Sequence, residues 1–248
     1  MLEENIGLIS PRQFKEEPGA FITNNLIGHK TVSAYDINYL FPLYLYPDLK
    51  NPDLFSQHKN EKEPNIPKSL FQNLSIAYSC NSTPEDILYY IYSVLYSNIY
   101  RENYLEFLKI DFPRIPFTSN YDIFKKMTAL GQRLIDLHLL KSSELDLPTV
   151  KYQGQGENAV IGRPKYDESE YWVYINKDFY FEGVKPEVWE YQIGGYQVMK
   201  KYLKDRKGRR MDDPRHYIHI ATALEKTIEI QEEIDVLYPE VEKDLIKF

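Results

Sequence analysis

Apolar positions recur three and four residues apart along Asn120–Leu140, where Ile123, Met127, Leu130, Leu134 and Leu137 predict one helical face. The same spacing puts Ile87, Ile91, Val94 and Leu95 on one stripe, bordered by Leu88. That second helix has a readable start at Thr83-Pro84-Glu85-Asp86: an N-cap, a proline at the first helical position, and two acids at the positive end of the dipole. A shorter helix is predicted over Arg101–Lys109, closed off by Pro113 and Pro116. Another runs from about Gln197 to Lys204 and breaks at Gly208. The last and longest is predicted from about Arg215 to Leu237, capped by Asp212-Asp213-Pro214, with Ile220, Leu224 and Ile228 in line.

Elsewhere the period shortens. Residues 5–9 and 20–27 read as strands separated by a polar turn at Lys15–Gly19, and Tyr39–Tyr46, interrupted by Pro42, reads as a buried or edge strand. Residues 47–68 hold four prolines and predict an exposed loop. Between 149 and 182, alternation such as Tyr171-Trp172-Val173-Tyr174-Ile175 predicts three or four strands, with turns at Gly154–Asn158 and Asn176–Asp178. The fold class expected is α+β: a curved or mixed sheet, or sheets, from the N-terminal and 149–182 strands, several packed helices and a long C-terminal helix.

Composition narrows the compartment more than the function. With 248 residues, 43% hydrophobic and 27% charged, the chain has room for one sizeable core and reads as a soluble globular protein. A single cysteine, Cys80, rules out an intrachain disulfide and a cysteine-based zinc site, and fits a reducing cytoplasm. No signal peptide or membrane-length apolar run is present. The 22 tyrosines suit half-buried and binding surfaces but fill cores equally well.

Charge changes the picture at one place. Lys200, Lys201, Lys204, Arg206, Lys207, Arg209 and Arg210 crowd into eleven positions; less Asp205 they carry +6, so the remainder carries −13 of the net −7. A concentrated patch attracts phosphates even against an opposing net charge. Its plainer explanation is a solvated helix end where cations complement the macrodipole. Gly194-Gly195, just before, lets backbone amides approach a phosphate at a helix start. Arg12-Gln13, Asn24-Asn25 and Lys30 lie at polar turns, and Tyr196 and Gln197 precede the basic helix; these types contact base edges or stack on bases.

Other chemistries lack their residues. The chain has no glycine-rich nucleotide loop, no Walker motif and no adjacent prolines of the kind that grip a flipped adenine. Asp48-Leu-Lys50 and Asp205-Arg-Lys207 are the only tripeptides of nuclease type, neither on a convincing strand. His216-x-x-His219 has no third metal ligand in the pattern and reads as packed histidines. No catalytic residue, metal or cofactor is assigned.

Several segments, in order along nearly the whole chain, resemble the C-terminal specificity domain of type ISP restriction–modification enzymes and related adenine-specific DNA methyltransferases. They include Phe41–Tyr46, Asp86–Tyr96, Tyr100–Tyr104, Phe107–Pro116, Leu130–Leu134 with Leu137–Leu140, Ile193–Val198 with Tyr202–Gly208, and His216–Ala221 leading to Thr227-Ile228. The resemblance implies that residues 1–248 are one target-recognition domain, the C-terminal part of a larger polypeptide whose nuclease, ATP-driven translocase and SAM-dependent methyltransferase lie upstream. It also implies sequence-specific binding of duplex DNA without catalysis by this chain itself. The basic run and Gly194-Gly195 would then hold the DNA backbone, and Arg12, Gln13, Asn24, Asn25, Lys30, Tyr196 and Gln197 would face bases. Other readings are a module that docks on the methyltransferase or translocase with little DNA affinity, a small nuclease, and a single-stranded RNA binder using tyrosine stacking.

Overall fold

The protein is described here by a computed structural model, which describes residues 3–15, 17–28, 31, 37–46, 62–161 and 163–247. β1 (Gly7–Pro11) lies between β2 (Phe21–Thr23) and β3 (Asn38–Pro42), antiparallel to both, so that Leu8 faces Ile22 on one side and Phe41 on the other. β4 (Tyr44–Leu45) pairs with β5 (Glu63–Pro64). Helices α1 (Lys68–Tyr78), α2 (Pro84–Tyr96), α3 (Asn98–Asn103), α4 (Leu105–Leu108) and α5 (Tyr121–His138) follow. Next come β6 (Lys151–Gly154), β7 (Lys165–Asp167), β8 (Trp172–Tyr174) and β9 (Phe179–Glu182), joined in the order β6-β9-β8-β7. After α6 (Pro186–Glu190), the hairpin of β10 (Gln192–Ile193) and β11 (Tyr196–Gln197) leads into α7 (Val198–Lys204) and α8 (Arg215–Lys243).

The α+β class, the several packed helices and the long C-terminal helix stand; the two groups of strands do not share a mixed sheet. The N-terminal and 151–182 strands form separate sheets, and every pairing among the described residues is antiparallel. β2 stops at Thr23 because the Thr23 hydroxyl accepts the Asn25 amide and closes a turn. The strand expected over Tyr39–Tyr46 divides beyond Pro42. Of the loop expected at 47–68, residues 47–61 lie outside the described residues. Its last residue, Lys68, opens α1, a helix that periodicity missed because it buries only Leu74 and Tyr78 and has neither a side-chain cap nor an acid in its first turn. The expected 101–109 helix starts earlier, where the Ser97 hydroxyl accepts the Tyr100 amide, and breaks at Tyr104. α8 continues through Pro239 because Tyr238 and Val241 remain buried. At its start, Asp213 accepts the Arg215 amide, while Asp212 is taken by Asn158 and Arg210.

Two apolar cores result. The larger gathers α1, α2, α5 and the C-terminal half of α8, with Phe14 and Ile22 from the N-terminal region. The smaller packs Val173 and Phe181 of the four-stranded sheet against Met199, Leu203, Tyr217 and Leu224. Helices α2 and α5 touch most closely at Gly131, where a Cβ would sit 1.8 Å from the Tyr89 carbonyl oxygen. The N-cap expected at Thr83 is present and is part of a capping box, with Thr83 and Asp86 accepting each other's amides.

Tyrosines satisfy backbone that helices and sheets leave unpaired. The 114–118 segment is kept extended by Pro113 and Pro116, so its carbonyls need outside donors. Tyr100, Tyr90 and Tyr78 donate to the carbonyls of Arg114 at 3.0 Å, Pro116 at 2.7 Å and Thr118 at 2.6 Å. His138 is half-buried at the end of α5. The Thr227 hydroxyl donates to the Ala223 carbonyl, so at 2.9 Å it accepts from His138 Nε2–H. That leaves Nδ1 to accept from the Tyr92 hydroxyl at 2.8 Å. Burial, reinforced by the charge of Arg101, holds this imidazole neutral and lowers its pKa to about 3.

Two outcomes are expected. Gly131→Ala should cost about 3 kcal/mol or more in urea unfolding, since backbone must move to admit the methyl; a loss under about 1 kcal/mol would contradict the contact. The unfolded chain protonates His138 near pH 6.5 while the folded one resists to about pH 3. Stability should therefore be unaffected by His138 above pH 6.5 and fall through that window as pH drops. The His138 share should be about 2 kcal/mol at pH 5 relative to pH 7.5, and His138→Gln should remove it.

Candidate nucleic-acid interface

Met199 and Leu203, four residues apart, are the buried face of α7, and the Tyr217 hydroxyl of α8 meets the Met199 carbonyl at 3.4 Å. Lys200, Lys201 and Lys204 are thereby kept at the surface of that helix. Beyond α7 the chain reverses at Gly208, whose φ of +78° favours glycine. Gly208 N–H donates to the Val160 carbonyl, Val160 N–H to Arg209, and Met211 N–H to Asn158. This short ladder fastens 208–211 beside the four-stranded sheet, and Asn176 braces its other side through the carbonyls of Glu157 and Ala159. The backbone of the basic loop is thus fixed, with Met211 in the smaller core and Lys207, Arg209 and Arg210 exposed.

The seven cations divide into two groups. Lys201 pairs with Asp205 at 2.5 Å and lies over the Tyr196 ring; Arg210 pairs with Asp212 at 3.1 Å. Among the described residues no carboxylate pairs with Lys200, Lys204, Arg206, Lys207 or Arg209, and Lys204, Lys207 and Arg209 are exposed. Arg206 is half-buried, stacked 3.4 Å above the Tyr202 ring, with Nη1 donating to the Tyr202 carbonyl at 3.2 Å. His216 also packs against the Tyr202 ring, centroids 5.5 Å apart, its pKa lowered mainly by burial and also by Arg206. No three His, Cys, Asp or Glu side chains converge as a metal site would need among the described residues. A cleft of about 350 Å³ separates α7 from β2, with Phe21, Tyr196, Lys201, Asp205, Arg206 and Ile220 in its walls.

The sequence profile of the Type ISP C-terminal specificity domain matches residues 1–233. The chain belongs to this family. Three solved structures share the specificity domain's fold. An ATP-dependent Type ISP restriction–modification enzyme, LlaBIII bound to DNA, superposes with a TM-score of 0.70 at 20% identity, over 94% of this chain and 16% of that one. A nuclease-deletion mutant of the Type ISP enzyme LlaGI with a DNA substrate mimic gives 0.64 at 19% identity, over 94% and 21%. A DrdV–DNA complex gives 0.74 at 20% identity, over 93% and 24%. The specificity domain thus spans less than a quarter of the length of each of these chains. No curated protein sequence matches it significantly. Among its described residues no helix is long and apolar enough to cross a membrane.

The specificity domain does not bring the expected base-reading residues together. Arg12 pairs with Asp111 at 2.7 Å, which raises the guanidinium pKa and lowers that of the carboxyl, and Gln13 donates to the Ile110 carbonyl. Asn25 donates to Asn24 in the turn after β2. Gly7 opposes Thr23 and Pro11 opposes Asn38, so the two pairs leave opposite ends of the three-stranded sheet. Lys30 lies outside the described residues. Gln197 Nε2 is committed to the Trp189 carbonyl at 2.6 Å. Gly194-Gly195 turns the β10–β11 hairpin instead of opening a helix, with Gly194 at φ +56°. Its close approach is to the chain itself: a Cβ on Gly19 would come within 2.6 Å of the Gly194 nitrogen. What composition left unread was Tyr202 beneath Arg206 and Asp205 beside Lys201, although both pairs have the four-residue spacing of helical neighbours.

Proposed function

We propose that this specificity domain recognises duplex DNA for a restriction–modification enzyme, and that the segment from Lys200 to Arg210 is its principal phosphate-binding surface. The observation that carries the reading is the group of exposed cations, Lys204, Lys207 and Arg209, on a backbone fixed by the 158–160 ladder and without carboxylate partners among the described residues. Flexible, solvated cations suit phosphates, because neutralising them releases condensed counterions whatever the sequence. The DNA present in all three related structures supports the same reading. Residues 1–248 act as one recognition unit of a larger cytoplasmic enzyme. The methyltransferase, with its S-adenosylmethionine, and the translocase belong to other parts of that enzyme, and this domain does no catalysis itself.

A second surface favours a docking role beside DNA binding. Phe107 and Ile110 are 69% and 65% exposed at the edge of a groove that also holds Tyr104, Phe112 and Arg114. Tyr39 and Phe41 of β3 pack edge-on against Phe112 and extend the apolar area. An apolar face of this kind suits a protein module such as the methyltransferase better than a phosphate backbone.

Binding to a fluorescent duplex over a salt series tests the reading. Changing Lys204, Lys207 and Arg209 together to Ala should weaken low-salt binding about tenfold or more and flatten the log K against log salt slope by roughly 3. Unchanged affinity and slope would remove the basic segment from the interface.

A further inference from the structure

Arg206 differs from its basic neighbours in being held. Its guanidinium carbon sits over the Tyr202 ring, 3.4 Å from the centroid, and Nη1 donates to the Tyr202 carbonyl at 3.2 Å. No carboxylate pairs with it among the described residues, because Lys201 has taken Asp205 and Arg210 has taken Asp212. A guanidinium fixed in its plane has given up rotamer freedom before any ligand arrives, which favours a bidentate contact of defined direction over a loose charge contact.

The setting selects between the two partners that take a bidentate arginine, a phosphate and a guanine edge. Arg206 opens onto the cleft between α7 and β2, whose walls include the apolar or aromatic side chains of Phe21, Tyr196 and Ile220. Asp205 lines the same cleft. Lys201 lines the cleft too and holds Asp205 through Oδ2, so charge alone does not turn a phosphate away. What a phosphate cannot use is the second carboxylate oxygen, because it brings no donor, whereas a G·C pair does. Guanine presents O6 and N7 as acceptors to a guanidinium, and cytosine presents its N4 amino group as a donor to a carboxylate. Adjacent Asp and Arg side chains therefore carry the two complementary halves of one base pair's major-groove edge.

We infer that Asp205 and Arg206 are specificity-determining residues that read a G·C pair in the major groove, with Tyr202 as the platform that positions the arginine. This rests on the duplex-binding reading above and changes the role of Arg206 within it, from backbone contact to base reader.

The test is selection of a randomised duplex library by the full chain, with sequencing of what stays bound at low and moderate salt. Wild type, Arg206→Lys, Asp205→Asn and Lys204→Ala are compared after circular dichroism has matched their folds. Wild type should enrich a motif with at least one fixed G·C position. Arg206→Lys keeps the charge but loses the planar fork, so it should cut the preference at that position about tenfold while total DNA retention changes little. Asp205→Asn should relax the same position, and Lys204→Ala should lower retention of all sequences alike. If Arg206→Lys lowers retention uniformly and leaves the motif intact, Arg206 is a phosphate contact and the inference fails alone. If wild type retains DNA without enriching any motif, base reading by this pair is overturned while the phosphate-binding surface stands. If wild type retains no DNA, both readings fall.

Discussion

Tyr217, Ala221 and Leu224 enter the smaller core from the same helix that sends Ile230, Ile234, Tyr238 and Val241 into the larger one. α8 has 29 residues and is about 44 Å long, so it runs through both apolar clusters as a continuous rod. Rotating one cluster against the other would require breaking that helix or exposing one of its faces. The basic segment depends on this constraint. α7 rests on α8 through Met199 and Tyr217, and the 208–211 ladder rests on the sheet that α8 covers. The cations therefore sit at a defined height beside β2 and the N-terminal sheet.

Polar chemistry in the interior follows from the same rigidity. An extended, proline-bordered segment at 114–118 is packed against helices, which supply donors only through side chains long enough to reach across. Tyrosine provides the ring for the core and the hydroxyl for the carbonyl, which accounts for Tyr78, Tyr90 and Tyr100. His138 is satisfied in one neutral tautomer by Tyr92 and Thr227. These groups hold the frame. The surface groups that remain uncommitted, above all Lys204, Lys207 and Arg209, are where the domain has charge to offer a partner.

Much of the frame was legible in the chain. α2 declared itself through the Thr83 cap, Pro84 and the two acids that follow, and α5 through its apolar stripe, because both signals are local. α1 was silent, with only two buried residues and a proline where a cap would stand. Sheet membership was not legible either: nothing in strands of two to five residues distinguishes a shared sheet from the four small sheets found among the described residues, since pairing is settled by distant packing. For the site, the density of basic residues was visible and the division of labour was not. Which cation keeps an acid partner, and which lies on a ring, depends on side-chain geometry around Asp205, Asp212 and Tyr202. Gly194-Gly195 is the instructive case. A glycine pair signals close approach of something, and here that something is Gly19.

If, as proposed, this acidic domain holds DNA, it does so by local field, with the −13 elsewhere limiting the grip. Hydrogen exchange of the chain, with and without a duplex at low salt, measures where that grip lies. Slowed amide exchange concentrated in residues 193–210, with β3 and 107–116 unchanged, is the result predicted. Protection confined to 107–116, with 193–210 exchanging as in the free chain, would contradict the assignment of the basic segment as the DNA surface.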